Sequence, residues 1–180
     1  MAYYKRHLPH WLPESATLFV TWRLHGSLPS WAAPPKPEGT GAGRAFRAFD
    51  QELDKAAIGP RWLTEPRIAQ GIVSALKFGD EQMGLYRLIS YVVMSNHVHI
   101  LIRPRAPLSK ITKTIKGFTA REANKLLNLT GQPFWQDESY DRWVRDETEL
   151  KRIIRYIEHN PVSAGLVAKP EDWPWSSATK

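Results

Sequence analysis

Apolar and polar positions alternate along Thr17-Leu-Phe-Val-Thr-Trp-Arg-Leu24, which also carries β-branched and aromatic residues, the pattern of a strand. Apolar residues then recur at helical spacing, predicting helices over 44–57 and 65–77 separated by Gly59-Pro60. Leu85–Met94 is almost continuously apolar, which predicts a central strand buried on both faces. Ser95-Asn96 turns the chain tightly into a second strand, His97–Arg103, so the two read as a hairpin. A helix follows to about Leu127, capped by Ser109, with Ile111, Ile115 and Phe118 on its inner face. Ser139–Val144 reads as a short strand. A last helix covers 147–159, with Leu150, Ile153, Ile154 and Ile157 as its apolar stripe and Pro161 as its stop. This order predicts an α+β fold, an antiparallel sheet packed with helices.

Between the first strand and the first helix, residues 26–43 hold four prolines and four glycines and read as a flexible loop. Gly39-Thr-Gly-Ala-Gly43 lacks the Gly-Lys-Ser/Thr ending of a phosphate loop and the spacing of a dinucleotide fingerprint. No internal repeat or linker interrupts the chain, so one domain over 1–180 is expected.

Composition narrows the function classes. The 180 residues contain no cysteine, which excludes disulfides and thiolate metal sites and suits a reducing cytoplasm. No apolar run approaches the roughly 20 residues of a membrane span, and the polar, aromatic start is unlike a signal peptide. Lys and Arg outnumber Asp and Glu by 25 to 18, and eight Trp and six Tyr accompany them, a balance compatible with nucleic acid. The basic residues Lys110, Lys113, Lys116, Arg121 and Lys125 mostly face outwards on one helix, as a solvated face or as DNA contacts.

His97-Val98-His99 carries the chemistry. Alternation puts both imidazoles on one face of a strand while Val98, Ile100 and Ile102 line the other. Two neutral imidazoles side by side make half of a divalent metal site. On the last helix, Tyr156 flanks the apolar stripe and Asn160 follows one turn later on the same face. If both lean over the histidines, the four groups form a metal site with a nucleophile beside it. Tyr140, near Arg142 and Arg145, is a rival nucleophile. A third histidine at the next alternate position would suggest a histidine-triad hydrolase, but that position is Leu101.

Val92-Val-Met-Ser-Asn-His-Val-His-Ile-Leu-Ile102 resembles the His-hydrophobe-His ("HUH") signature of single-tyrosine transposases. Gly131-Gln-Pro-Phe-Trp-Gln-Asp-Glu-Ser-Tyr-Asp-Arg-Trp-Val-Arg145, Tyr156-Ile-Glu-His-Asn-Pro-Val-Ser-Ala-Gly-Leu-Val167 and Glu171-Asp-Trp-Pro-Trp-Ser-Ser177 narrow the resemblance to REP-associated tyrosine transposases. It runs from about Arg6-His-Leu-Pro-His-Trp11 to the end, apart from the loop at 30–45. The resemblance implies a ferredoxin-like sheet with helices, metal binding by His97 and His99 with Asn160 as the polar third ligand, and nucleophilic attack by Tyr156. It also implies Mg²⁺ or Mn²⁺, single-stranded DNA with palindromic hairpins as partner, and no nucleotide cofactor, since a phosphotyrosine conserves the bond energy. Lys110, Lys113, Lys116, Arg121, Lys125, Arg142 and Arg145 are the expected DNA contacts. A monomer or homodimer in the bacterial cytoplasm, associated with the nucleoid, is expected. Ser95 departs from a frequent proline, and Asn160 is shorter than the glutamine of relatives. The alternative is a domesticated protein that binds DNA hairpins without cleaving them.

Overall fold

The computed structural model describes residues 16–29, 35, 41–55 and 57–179; the Arg6–Trp11 stretch and most of the predicted loop lie outside them. The elements in order are β1 (Thr17–Leu24), α1 (Ala42–Lys55), α2 (Pro66–Glu81), β2 (Tyr86–Val93), β3 (His97–Pro104), α3 (Leu108–Leu127), β4 (Trp135–Val144) and α4 (Glu147–Ser163). The strands form one antiparallel sheet in the order β2-β3-β1-β4, giving the expected α+β architecture.

Strand alternation divides the core in two. Leu18, Val20 and Trp22 of β1 and Val98, Ile100 and Ile102 of β3 pack on one face against Ile72 and Leu76 of α2 and Ile111 and Ile115 of α3. The intervening residues point the other way, where Phe19, Val92, Leu101 and Tyr140 meet Phe46 of α1 and Ile153 and Ile157 of α4. Helices thus cover both sides of the sheet, α2 and α3 on one and α1 and α4 on the other.

The structure corrects several expectations. β2 is an edge strand, not a central one. It reads as buried because the C-terminal segment covers its edge: Ser176 bridges Val92, Val93 N–H donates to Trp175 O at 2.9 Å, and Ser177 N–H donates to Tyr91 O at 2.9 Å. β4 begins four residues earlier than expected, at Trp135, because its first half pairs with β1 through a register shift. Pro161 does not stop α4. A proline removes its own N–H and crowds the carbonyl four residues back, but the residues after it still close the last turn, with Ala164 N–H donating to Asn160 O at 2.9 Å. Ser109 does not cap α3, which starts at Leu108 after Pro107. Phe118 is about half exposed rather than inward. α4 has a side-chain cap at its start: Asp146 accepts from Glu149 N–H at 2.8 Å, and the Glu149 carboxylate accepts from Arg145 N–H at 2.8 Å.

Candidate functional site

The two-residue turn between β2 and β3 closes with Met94 N–H donating to His97 O at 2.9 Å, and this delivers His97 and His99 to the α1/α4 face. Both are fully buried. Their outer nitrogens are fixed by neighbours. His97 Nδ1 donates to Asn96 Oδ1 at 2.7 Å, and Asn96 Nδ2 donates in turn to Leu53 O at 2.9 Å. His99 Nδ1 lies 2.7 Å from Thr21 Oγ1, across the β1–β3 register in which Thr21 pairs with His99. A proton held at Nδ1 leaves Nε2 as a lone pair. The two Nε2 atoms face each other at 3.2 Å.

α1 supplies a carboxylate that the sequence pattern did not reveal. Asp50 is buried, and its Oδ1 stands 3.2 Å from His99 Nε2 and 3.5 Å from His97 Nε2. Asp54, one turn on, places Oδ1 3.8 Å from His97 Nε2. The signal that could have found it is a carboxylate on an apolar stripe: Phe46, Asp50 and Leu53 share the inner face of α1, and a charge there needs a partner. From α4, the Tyr156 hydroxyl donates to Asp50 Oδ2, and Asn160 Nδ2 donates to the same oxygen at 3.1 Å. Asn160 Nδ2 is also 3.4 Å from His99 Nε2. His97, His99, Tyr156 and Asn160 therefore come together, as the sequence suggested, with Asp50 in their midst.

Burial lowers the His97 pKa to about 3, so its ring is neutral at physiological pH. Burial pushes the Asp50 carboxyl upward, but the His99 and His97 rings and the Tyr156 hydroxyl outweigh it and the net shift is downward. Asp54 is raised to about 7, first by burial and then by the Asp50 charge. Tyr156 is raised well above an ordinary phenol, again by burial first and by Asp50 second.

The donor set fits a divalent cation. Two imidazole nitrogens and one carboxylate oxygen converge, all within 4.8 Å of one another. Asp50 Oδ1, Asp54 Oδ1 and Asn160 Oδ1 are buried without a hydrogen-bond partner. Buried acceptors without a donor are costly, and a cation held by Asp50 and the two histidines would offset that cost at Asp50. As placed, Asn160 turns its nitrogen to Asp50, and a half-turn of the amide is what brings its oxygen to the centre.

The other expected residues separate. Arg142 and Arg145 lie on the Tyr156 side, lining the cavity beside it, and Arg142 forms an ion pair with buried Glu149. α3 packs on the opposite face of the sheet. There Lys110, Lys113, Arg121 and Lys125 are exposed, Lys125 pairs with Glu122 at 2.7 Å, and Lys116 donates to Gln136 O at 2.7 Å on β4. Tyr140 is buried against Phe46, with ring centroids 4.3 Å apart, and burial raises its pKa.

Comparison with known proteins gives the family. The model of a family described as "Transposase IS200 like" matches residues 70–160, and the chain belongs to that family. The matched stretch includes His97, His99, Tyr156 and Asn160 but not Asp50. A Haemophilus influenzae protein named as a REP-associated tyrosine transposase is 40% identical over 43 residues, which is 24% of this chain and 24% of that protein. The solved structure of a REP-associated tyrosine transposase bound to a REP hairpin is similar over 98% of this chain and 82% of that one, with a TM-score of 0.59 and 18% identity. The likeness shows a common fold. No helix among the described residues is long and apolar enough to cross a membrane.

Proposed function

We propose that this protein cleaves and rejoins single-stranded DNA at palindromic, REP-type hairpins, through a covalent bond between Tyr156 and a 5′ phosphate. The observation that carries this reading is the Tyr156 hydroxyl hydrogen-bonded to Asp50, whose other oxygen faces the paired imidazoles of His97 and His99. His97, His99 and Asp50 would hold the divalent ion, with Asn160 in reach after an amide rotation. When bound, Mg²⁺ or Mn²⁺ there would supply electrophilic stabilisation of a phosphodiester oxygen and offset the Asp50 charge, which adds to burial in raising the phenol pKa.

The chain's own residues do the rest. Tyr156 Oη, oriented by its hydrogen bond to Asp50 Oδ2, attacks phosphorus in line and releases its proton to water. The bond from phosphorus to the 3′ oxygen breaks, and that oxygen leaves with a proton from water. Rejoining is the reverse, with a 3′ hydroxyl attacking the phosphotyrosine. No nucleotide cofactor is required, because the phosphotyrosine conserves the energy of the broken bond. Such chemistry belongs with chromosomal DNA in the cytoplasm. The positions of the two rival tyrosines favour Tyr156, since its hydroxyl is hydrogen-bonded to Asp50 beside the paired histidines, whereas Tyr140 is buried against Phe46 and its hydroxyl has no hydrogen-bond partner among the described residues.

The test is incubation with labelled single-stranded hairpin DNA and Mn²⁺, followed by a denaturing gel. Wild-type protein and Tyr140→Phe should give a slow-migrating covalent adduct, and Tyr156→Phe should give none while still binding the hairpin. An adduct at wild-type level from Tyr156→Phe would overturn the assignment. Hairpin binding by wild-type protein with no adduct under any divalent metal would favour a non-cleaving binder.

A further inference from the structure

A cavity of about 470 Å³ lies between α1, β4 and α4 with Tyr156 in its wall. This volume falls in the range of small-molecule sites, roughly 300–1,000 Å³. Its floor is aromatic and apolar: Phe19, Phe46, Tyr140 and Ile153 are buried there, with Phe46 stacked on Tyr140. Its rim is cationic, formed by Arg44 and Arg47 of α1, Arg142 and Arg145 at the end of β4, and Arg152 of α4. Among the described residues, the one carboxylate in the lining is Glu149, which is buried and already accepts from Arg142, Arg152 and the Arg145 backbone N–H. Positive charge is therefore in surplus around an aromatic floor. The Nε of Arg142 is buried and has no hydrogen-bond partner.

We propose that this cavity takes one unpaired nucleotide of the substrate strand, adjoining the phosphate that Tyr156 attacks. Its base would lie against the aromatic floor and its phosphate on the arginine rim. Guanidinium groups match phosphate oxygens with paired N–H donors, and aromatic rings accept any base by stacking. A base can enter such a recess only when it is free of its partner, so the cavity selects single-stranded over paired DNA. The charge alone would not, because phosphate neutralisation is blind to strandedness within a factor set by charge density. The proposal rests on the reading that single-stranded DNA is the substrate, and it adds which surface tells unpaired from paired DNA.

The experiment measures binding of the full chain in EDTA, so that no cleavage is needed. The probes are a hairpin with an unpaired extension carrying 2-aminopurine at successive positions, a blunt duplex of equal length, and a deoxynucleoside 5′-monophosphate. We expect the fluorescence of 2-aminopurine to be quenched at one unpaired position next to the hairpin. Arg44→Ala/Arg145→Ala, two exposed rim residues, should weaken binding of the extended hairpin at least tenfold, abolish that quench, and change duplex binding less than threefold. Thermal melting checks that the variant is folded, and the wild-type quench tests the cavity without any variant. Equal losses for hairpin and duplex, or wild-type binding by the variant, overturn the proposal. So does binding of the free monophosphate as tightly as the strand, which would make this a small-molecule site. An adduct from wild-type protein alongside any of these leaves the transposase reading standing and removes only the cavity. Loss of extended-hairpin binding in the variant, with no adduct from wild-type protein, does the reverse.

Discussion

The two faces of one sheet follow opposite rules. Towards α2 and α3 the sheet is dry: Val98, Ile100 and Ile102 of β3 meet the apolar neighbours of the main core. Towards α1 and α4 the same strand presents His97 and His99, and the space beyond them holds Asp50, Asp54 and Asn160. Among the described residues, the buried polar atoms without partners gather on this second side, at Asp50, Asp54, Asn160, Tyr140 and Arg142; only those of Trp22 and Asn124 lie outside the group. Each such atom costs about 1–3 kcal/mol. The first face therefore supplies stability throughout, whereas the second sets an apolar cluster around Phe46 and Leu101 beside a polar centre that gives some of it up. Strand alternation lets a single segment, His97–Ile102, serve both without compromise.

The largest effect should come from emptying the polar centre of its ligands. If acceptors crowd there for a cation, Mn²⁺ must stabilise the wild-type protein, by about 2.7 kcal/mol at a concentration a hundred times Kd. His97→Ala/His99→Ala should lose this stabilisation and the calorimetric metal-binding signal altogether. A metal-induced rise in Tm that survived the double substitution would move the site elsewhere. The dry face gives the contrasting case. Ile100 is 1% exposed, and Ile100→Ala should cost about 2–5 kcal/mol by denaturant midpoint, with metal affinity of the folded protein changed less than about twofold. A collapse of metal affinity in that variant would show that the two faces are coupled through β3.

A smaller effect tests the shell behind the ligands. Thr21 sits on β1, and its hydroxyl meets His99 Nδ1 at 2.7 Å. Thr21→Val keeps the shape and removes the hydrogen bond. Metal affinity should fall about tenfold, or ~1.4 kcal/mol, measured by calorimetry, with the sheet intact by circular dichroism. Unchanged affinity would mean that the His99 ring is held by packing against Phe19, whose centroid is 5.5 Å away, rather than by the hydroxyl.

How much of this could be read from the chain follows from where each signal lies. The pair at 97 and 99 was legible because a strand converts spacing into direction. Tyr156 and Asn160 were legible as one helix face. Asp50 was not, because its helix is separated from β3 by more than forty residues and nothing local says which side of the sheet α1 covers. The same ignorance of sidedness grouped the basic residues of α3 with Arg142 and Arg145 as one set of DNA contacts, although α3 crosses the far face. β2 read as central because its edge is hidden by Trp175–Ser177, a contact between segments some eighty residues apart. Pro161 misled because proline disturbs the ladder behind it, at the carbonyl four residues back, and leaves the N–H groups after it free to close the last turn.

The smallest effect concerns that far face. Lys113 and Arg121 are exposed on α3, on the other side of the sheet from Tyr156, whereas Lys116 anchors α3 to β4 and is not a clean probe. Contacts from such charges to phosphates carry no sequence information. Lys113→Ala/Arg121→Ala should weaken hairpin and duplex alike. The salt dependence should flatten by about 0.7 for each phosphate no longer neutralised on a single strand, and by about 0.9 on a duplex. At saturating DNA the yield of covalent adduct should be unchanged, because neither residue lies on the side where the phosphodiester is attacked. Titrations of both DNAs at several salt concentrations measure the slope, and the denaturing gel measures the yield. An unchanged slope makes the far face a solvated one. A reduced adduct yield at saturation would mean that DNA held on α3 must wrap round the β4 edge to reach Tyr156, and the division between the two faces would then fail for the substrate while still holding for the metal.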